Sequence, residues 1–161
     1  MSLYLYILRH AETLEKSSSQ TDLERELTPK AVQDATLLGQ YMIEQKYIPD
    51  LILCSHAVRT QATARLINNS LHLMPEKIEV HRTLYHSNAS DILRIVTGIN
   101  QNTTDLMIIG HNPAISSFTN NLIDNDFLSF EPCSLAVIHF TSQKWSEISS
   151  KSGQLVLARK A

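Results

Sequence analysis

The chain begins with an apolar run that does not alternate: Leu3-Tyr4-Leu5-Tyr6-Ile7-Leu8. A strand wetted on one face shows period two, so an unbroken run predicts a strand covered on both faces, as in a parallel sheet between helices. Leu51-Ile52-Leu53-Cys54 and Leu106-Met107-Ile108-Ile109 carry the same pattern. Stretches of helical period lie between and after them. Thr28-Pro29 predicts an N-cap followed by a first-turn proline. Behind it, Ala31, Ala35, Leu38 and Met42 return at intervals of four, three and four. Val58, Ala62 and Leu66 mark the inner stripe of a second helix. Ile92, Ile95, Val96 and Ile99 mark a third, capped by Ser90 or Asn88. Asn112-Pro113 opens a fourth, with Ile115, Phe118 and Leu122 on one face. The stretch Lys16 to Asp22 reads as a surface loop. Ser134 to Phe140, Lys144 to Ile148 and Leu155 to Arg159 read as strands joined by short turns. Strands alternating with helices predict a three-layer α/β/α sandwich whose mostly parallel central sheet ends in an antiparallel edge.

Composition narrows the class. At 161 residues and roughly 150 per domain, one domain spanning 1–161 is expected, with no repeat, low-complexity tract or linker. A 43% hydrophobic and 19% charged composition is that of an ordinary globular protein. The net charge is −2, and the 14 basic residues divide 8 before position 80 and 6 after it without clustering. That distribution argues against a nucleic-acid binder, which needs a basic stripe. Any anion site must be local. Two cysteines, Cys54 and Cys133, make neither a disulfide scaffold nor a zinc site, and Cys54 reads as a small buried residue. No apolar run approaches the roughly 20 residues of a membrane span, and without a basic n-region or a small-residue cleavage site beside Leu3–Leu8 a signal peptide is not expected. A soluble, cytoplasmic monomer is the expectation.

Three buried strands run into residues that a buried strand has no structural reason to carry. The first ends Leu8-Arg9-His10-Ala11-Glu12, the second runs into Ser55-His56-Ala57-Val58-Arg59-Thr60, and the third ends Gly110-His111-Asn112-Pro113. In open α/β sheets the ligand crevice lies beyond the carboxyl ends of the strands, where helix N-termini also point. Arg9, His10, Arg59 and His111 would converge there as a phosphate-sized anion pocket. Each motif alone also fits surface punctuation or a helix start; their common position after three successive strands is what carries the reading. Zinc fits poorly, because Arg9 and Arg59 would repel a dication. Arginine's planar fork matches phosphate oxygens instead.

These motifs, with Asp22-Leu23-Glu24-Arg25-Glu26-Leu27-Thr28 and the Ser55…Arg59-Thr60…Thr63 helix start between them, resemble the histidine phosphatase (phosphoglycerate mutase-like) superfamily. They are most similar to its short SixA-type branch of phosphohistidine phosphatases. The resemblance covers essentially the whole chain. It implies the phosphoglycerate mutase-like fold, no metal or other cofactor, His10 as the phosphorylated nucleophile, and Arg9, Arg59 and His111 on the phosphoryl oxygens. Arg25, at the pocket rim, and Asn112 are implied as substrate-binding residues. Ala31 departs from the branch, where glycine is common, at little cost, since alanine favours helix.

A general acid is harder to find. Ester-cleaving relatives carry a carboxylate after the second motif, but here that region reads Leu84-Tyr85-His86-Ser87-Asn88, and the first carboxylate is Asp91. His86 is the candidate donor; a solvated loop residue is the alternative. A phosphoramidate needs less help, since imidazole leaves as a neutral molecule, so the pattern favours phosphohistidine over esters. The named elements also leave no insertion for a lid, which suits a protein-borne substrate such as a histidine-containing phosphotransfer domain. Two alternatives stay open: a broad-specificity small-molecule phosphomonoesterase, and a non-catalytic phosphate-dependent binding module. His56, His72, His81 and His139 read as surface or structural.

Overall fold

The computed structural model describes residues 2–124 and 127–161. Six strands and four α-helices follow in the order β1 (Leu3–Arg9), α1 (Pro29–Glu44), β2 (Leu51–Cys54), α2 (Val58–Ser70), β3 (Ile78–Val80), α3 (Ala89–Thr97), β4 (Asp105–Gly110), α4 (Ala114–Leu122), β5 (Leu135–Phe140) and β6 (Gln154–Arg159). The strands form one sheet in the order β3-β2-β4-β1-β5-β6. β3, β2, β4 and β1 are parallel, while β5 runs antiparallel to β1 and to β6. This is the expected sandwich.

The unbroken apolar runs are explained by what each face meets. Leu3, Leu5, Ile7, Leu106 and Ile108 pack into one core with Ile92 and Val96 of α3 and Ile115, Phe118 and Leu122 of α4. Tyr6, Leu8, Met107 and Ile109 point the other way, into a second core with Ala31, Ala35, Leu38 and Met42 of α1 and Ala64 and Ile67 of α2. Successive strand residues face opposite layers, so both parities must be apolar. Thr28 caps α1 by accepting from the Ala31 N–H at 3.0 Å. Of the two expected caps for α3, Asn88 is the one used: it accepts from the Asp91 N–H while the Asp91 carboxylate accepts from the Asn88 N–H.

Three local expectations are corrected. Lys144 to Ile148 is not a strand: Trp145–Glu147 forms a 3-10 turn. Such a turn eclipses residues three apart, which sends both Trp145 and Ile148 into the core; the indole N–H donates to the Thr103 carbonyl at 2.7 Å. The buried face of α2 is rotated from the Val58–Ala62–Leu66 stripe to Arg59, Thr60, Thr63, Ala64 and Ile67, and Val58 is 39% exposed. The fourth helix begins at Ala114, after a cis Asn112-Pro113 peptide. The short β3 at the sheet edge carries only three residues, mostly exposed, and no apolar signal announced it.

Candidate active site

In the order β2-β4-β1, three neighbouring parallel strands end side by side, and the residues after them share one cleft. Arg9, His10, Glu12, Thr13, Arg25, Arg59, His111, Asn112 and Pro132 line it, enclosing about 390 Å³. The β1–β4 register sets Arg9 opposite Gly110, so His10 and His111 leave their strands together.

His10 is buried, 8% exposed. Its Nδ1 lies 2.8 Å from the Ala11 carbonyl oxygen. A carbonyl only accepts, so Nδ1 carries the proton and Nε2 holds the free lone pair. Burial, with Arg59, Arg9 and Arg25 nearby, pushes the ring's pKa down to about 4, so the neutral, nucleophilic form prevails at neutral pH. The backbone beneath is tied down as well. The Ala11 N–H donates to Thr63 Oγ1 at 3.1 Å, and that hydroxyl donates to the Arg59 carbonyl at 2.7 Å. Thr63, noted in the sequence only for its spacing from Arg59, joins the His10 loop to α2.

His111 lies between two partners. Arg59 Nη2 is 3.3 Å from its Nδ1, and Ser55 Oγ is 2.7 Å from its Nε2. A guanidinium only donates, so Nδ1 accepts and Nε2–H donates to Ser55, whose hydroxyl in turn meets Thr60 Oγ1 at 2.7 Å. His111 is thus held neutral, its pKa lowered to about 3 by burial first and then by His10 and Arg59.

Arg59 is 6% exposed and donates through Nη1 to the Asp22 carbonyl at 2.7 Å and through Nη2 to the Asp22 carboxylate at 3.0 Å. Arg9 Nη1 donates to the Phe130 carbonyl at 2.9 Å, while its Nε is buried without an acceptor. A buried guanidinium donor with no partner, beside a cleft lined by two more arginines, is what an oxyanion site requires. Among the described residues no cluster of three or more His, Cys, Asp or Glu is placed to hold a metal ion, and no helix is long and apolar enough to cross a membrane.

The remaining expected residues divide. Arg25 stands at the rim, donating through Nε to the Leu14 carbonyl at 3.2 Å. Asn112 lines the cleft, but its amide is engaged: Nδ2 donates to the Phe130 carbonyl at 2.8 Å and Oδ1 accepts from Ser116 at 2.6 Å. Together with Arg9 it pins the segment before β5. His86 is exposed and does not line the cleft; its ring packs on Tyr85 with centroids 4.2 Å apart. Asp91 spends its carboxylate on the cap of α3.

Two residues joined to Arg59 were not singled out in the sequence. Asp22 lay inside a quoted motif without a role, and Tyr85 was read only as a neighbour of His86. The Tyr85 hydroxyl donates to Asp22 Oδ2 at 2.6 Å, and its ring meets His111 edge-on at 5.4 Å and His56 at 5.1 Å. Held by Tyr85 and Arg59, the Asp22 carboxyl is lowered to about 2. No spacing rule links positions 22, 59 and 85; only the fold does.

Residues 5–92, more than half of the chain, match the family model of the histidine phosphatase superfamily (branch 1). The chain belongs to the histidine phosphatase superfamily. It is accordingly a phosphatase. Among solved structures, a protein described as the phosphohistidine phosphatase SixA of Agrobacterium tumefaciens superposes with a TM-score of 0.84, at 21% identity over 99% of this chain and 98% of that one. A protein histidine phosphatase SixA complexed with tungstate gives 0.81 at 18% identity, over 97% and 96%. A mycobacterial glucosyl-3-phosphoglycerate phosphatase gives 0.65 at 14% identity, over 98% of each chain. At these identities the likeness is one of fold, and the fold is the phosphoglycerate mutase-like one of this superfamily.

Proposed function

We propose that this histidine phosphatase hydrolyses protein-bound phosphohistidine through a phosphoryl group carried on His10 Nε2, without a metal. The observation that carries the reading is the tautomer of His10. The Nδ1–H bond to the Ala11 carbonyl leaves Nε2 unprotonated in a cleft flanked by Arg9, Arg59 and His111.

The reaction runs in two displacements. His10 Nε2 attacks phosphorus in line, a new N–P bond forms, and the substrate's N–P bond breaks. A substrate imidazole already protonated on its other nitrogen leaves as a neutral ring. Water then attacks the phosphoryl group on His10, the N–P bond breaks, and inorganic phosphate departs with the water's oxygen. His10 leaves neutral because Nδ1 still carries its proton. Phosphoryl transfer asks mainly for alignment and for charge on the equatorial oxygens to be met. Arg9, with its unpartnered Nε, and Arg59 supply that charge.

The acids around the cleft support a nitrogen rather than an alkoxide leaving group. The Glu12 carboxylate accepts from the Thr28 hydroxyl at 3.1 Å. Asp22 is held ionised by Tyr85 and Arg59, and Asp91 is in a helix cap. The SixA structures, one described as a phosphohistidine phosphatase and the other as a protein histidine phosphatase, are also closer in fold than the sugar-phosphate enzyme. The tungstate in one of them is a tetrahedral oxyanion of phosphate's charge. Among the described residues, the β1–α1 connection beside the cleft holds a short 3-10 turn at Asp22–Glu24, which leaves room for a side chain presented by another protein, such as a phosphotransfer domain.

A steady-state comparison of a phosphohistidine-bearing protein with a sugar phosphate tests the substrate. Higher kcat/KM on the phosphoramidate is expected; a strong preference for the ester overturns the assignment in favour of a phosphomonoesterase. Binding of phosphate without turnover on either would leave the binding module standing. EDTA is expected to leave the rate unchanged.

A further inference from the structure

Arg59 receives its geometry from outside its own helix. Two of its five N–H donors go to Asp22, one to the carbonyl and one to the carboxylate. Asp22 belongs to the short turn Asp22–Glu24 between β1 and α1. The same Oδ2 that accepts from Arg59 accepts from Tyr85 at 2.6 Å, and Tyr85 follows the turn Arg82–Leu84 after β3. The guanidinium carbon sits 5.9 Å from the Tyr85 ring centroid. Two connections from opposite sides of α2 in the sequence therefore meet on one guanidinium.

An acidic side chain here has an electrostatic cost. It stands beside Arg59 and Arg25 and near His111, and it repels any incoming phosphoryl dianion. As a surface ion pair it would contribute little, since its side chain is 47% exposed. A rigid planar fork, however, must be turned correctly to meet phosphoryl oxygens, and the two contacts to Asp22, with the third to His111 Nδ1, fix that plane while leaving Nε–H and the second Nη1–H for a ligand.

We propose that Asp22, itself fixed by the Tyr85 hydroxyl, is a positioning residue that sets the orientation in which Arg59 meets the transferring phosphoryl group. This rests on the phosphoryl-transfer reading of the cleft.

The test is a double-mutant cycle on purified protein, with thermal midpoints showing that each variant is folded. Asp22→Ala is expected to lower kcat on the order of 10-fold to 100-fold, the cost of misplacing an aligned group. Its inhibition by inorganic phosphate is expected to stay unchanged or strengthen, because a negative charge has been removed. Asp22→Asn, which keeps an acceptor oxygen, is expected to restore part of kcat. Tyr85→Phe is expected to lower kcat about threefold in the wild type and not at all in the Asp22→Ala background, since it acts through that carboxylate. The proposal is overturned if Asp22→Ala keeps kcat within twofold. It is equally overturned if its loss lies wholly in KM and phosphate binding, or if Tyr85→Phe costs the same in both backgrounds. Absence of phosphate on His10 in the wild type would instead overturn the underlying phosphoryl-transfer reading.

Discussion

The rings of His10 and His111 lie 5.3 Å apart, centroid to centroid, at a tilt of 54°. One follows β1 and the other follows β4. Their meeting is a consequence of strand register, since Arg9 pairs with Gly110 in the parallel ladder. Burial first, and then the neighbouring arginines, depress both rings well below the usual histidine range, with His10 adding to the lowering at His111.

His10→Ala is expected to abolish turnover on every phosphorylated substrate, because no second nucleophile faces the cleft from its position. Brief incubation of the wild type with labelled substrate should place acid-labile label on His10 that chases into inorganic phosphate. The variant should acquire none.

The pH dependence has a defined sign. Protonation of His10 removes the nucleophile, so kcat/KM is expected to be flat through neutrality and to fall as pH drops through about 4. Stability behaves differently. Folded His10 and His111 titrate near 4 and 3, whereas both titrate at about 6.5 when unfolded. Below 6.5 the unfolded chain binds more protons, so these groups lower stability progressively down to their folded values. Denaturant midpoints measured between pH 7 and 4 should decline, and His111→Asn should flatten that decline.

Arg59→Ala is expected to reduce kcat by about 10² to 10³, the usual loss for one preorganised charge donor in a transition state. Stopped assays on the phosphoramidate would show it. Near-normal activity would mean that the phosphoryl group sits elsewhere in the cleft.

Gly39→Ala tests packing away from the chemistry. A Cβ at Gly39 would lie 2.4 Å from the Ser70 Cβ, where α1 crosses the end of α2. Overpacking of this kind costs about 1 to 3 kcal/mol, which thermal unfolding would register as a lower midpoint. kcat should change little.

How much of this could be read in the sequence depends on the range of the cause. β1, β4 and α1 were legible because burial on both faces and the Thr28-Pro29 cap are local signals. That Arg9, His10, Arg59 and His111 share one cleft was legible because polar and basic residues follow the abrupt end of each buried apolar run. The stripe on α2 was misread because its buried face carries Arg59, Thr60 and Thr63, polar residues turned inward by the cleft. Trp145 was misread because tryptophan and isoleucine favour strands by type, whereas their spacing of three fits a 3-10 turn. Asp22 and Tyr85 were invisible as partners because their contact spans 63 positions. Asn112 was assigned to the ligand, whereas its amide holds the Phe130 segment.

The sorting of β1 side chains, odd positions Leu3, Leu5 and Ile7 to one layer and Tyr6 and Leu8 to the other, also governs the chemistry. Adding a single amino acid within that strand would swap the destinations of everything downstream of it and rotate the imidazole at position 10 away from its counterpart. The enzyme could then be disarmed by a purely aliphatic insertion, every polar group being still present and merely facing the wrong way.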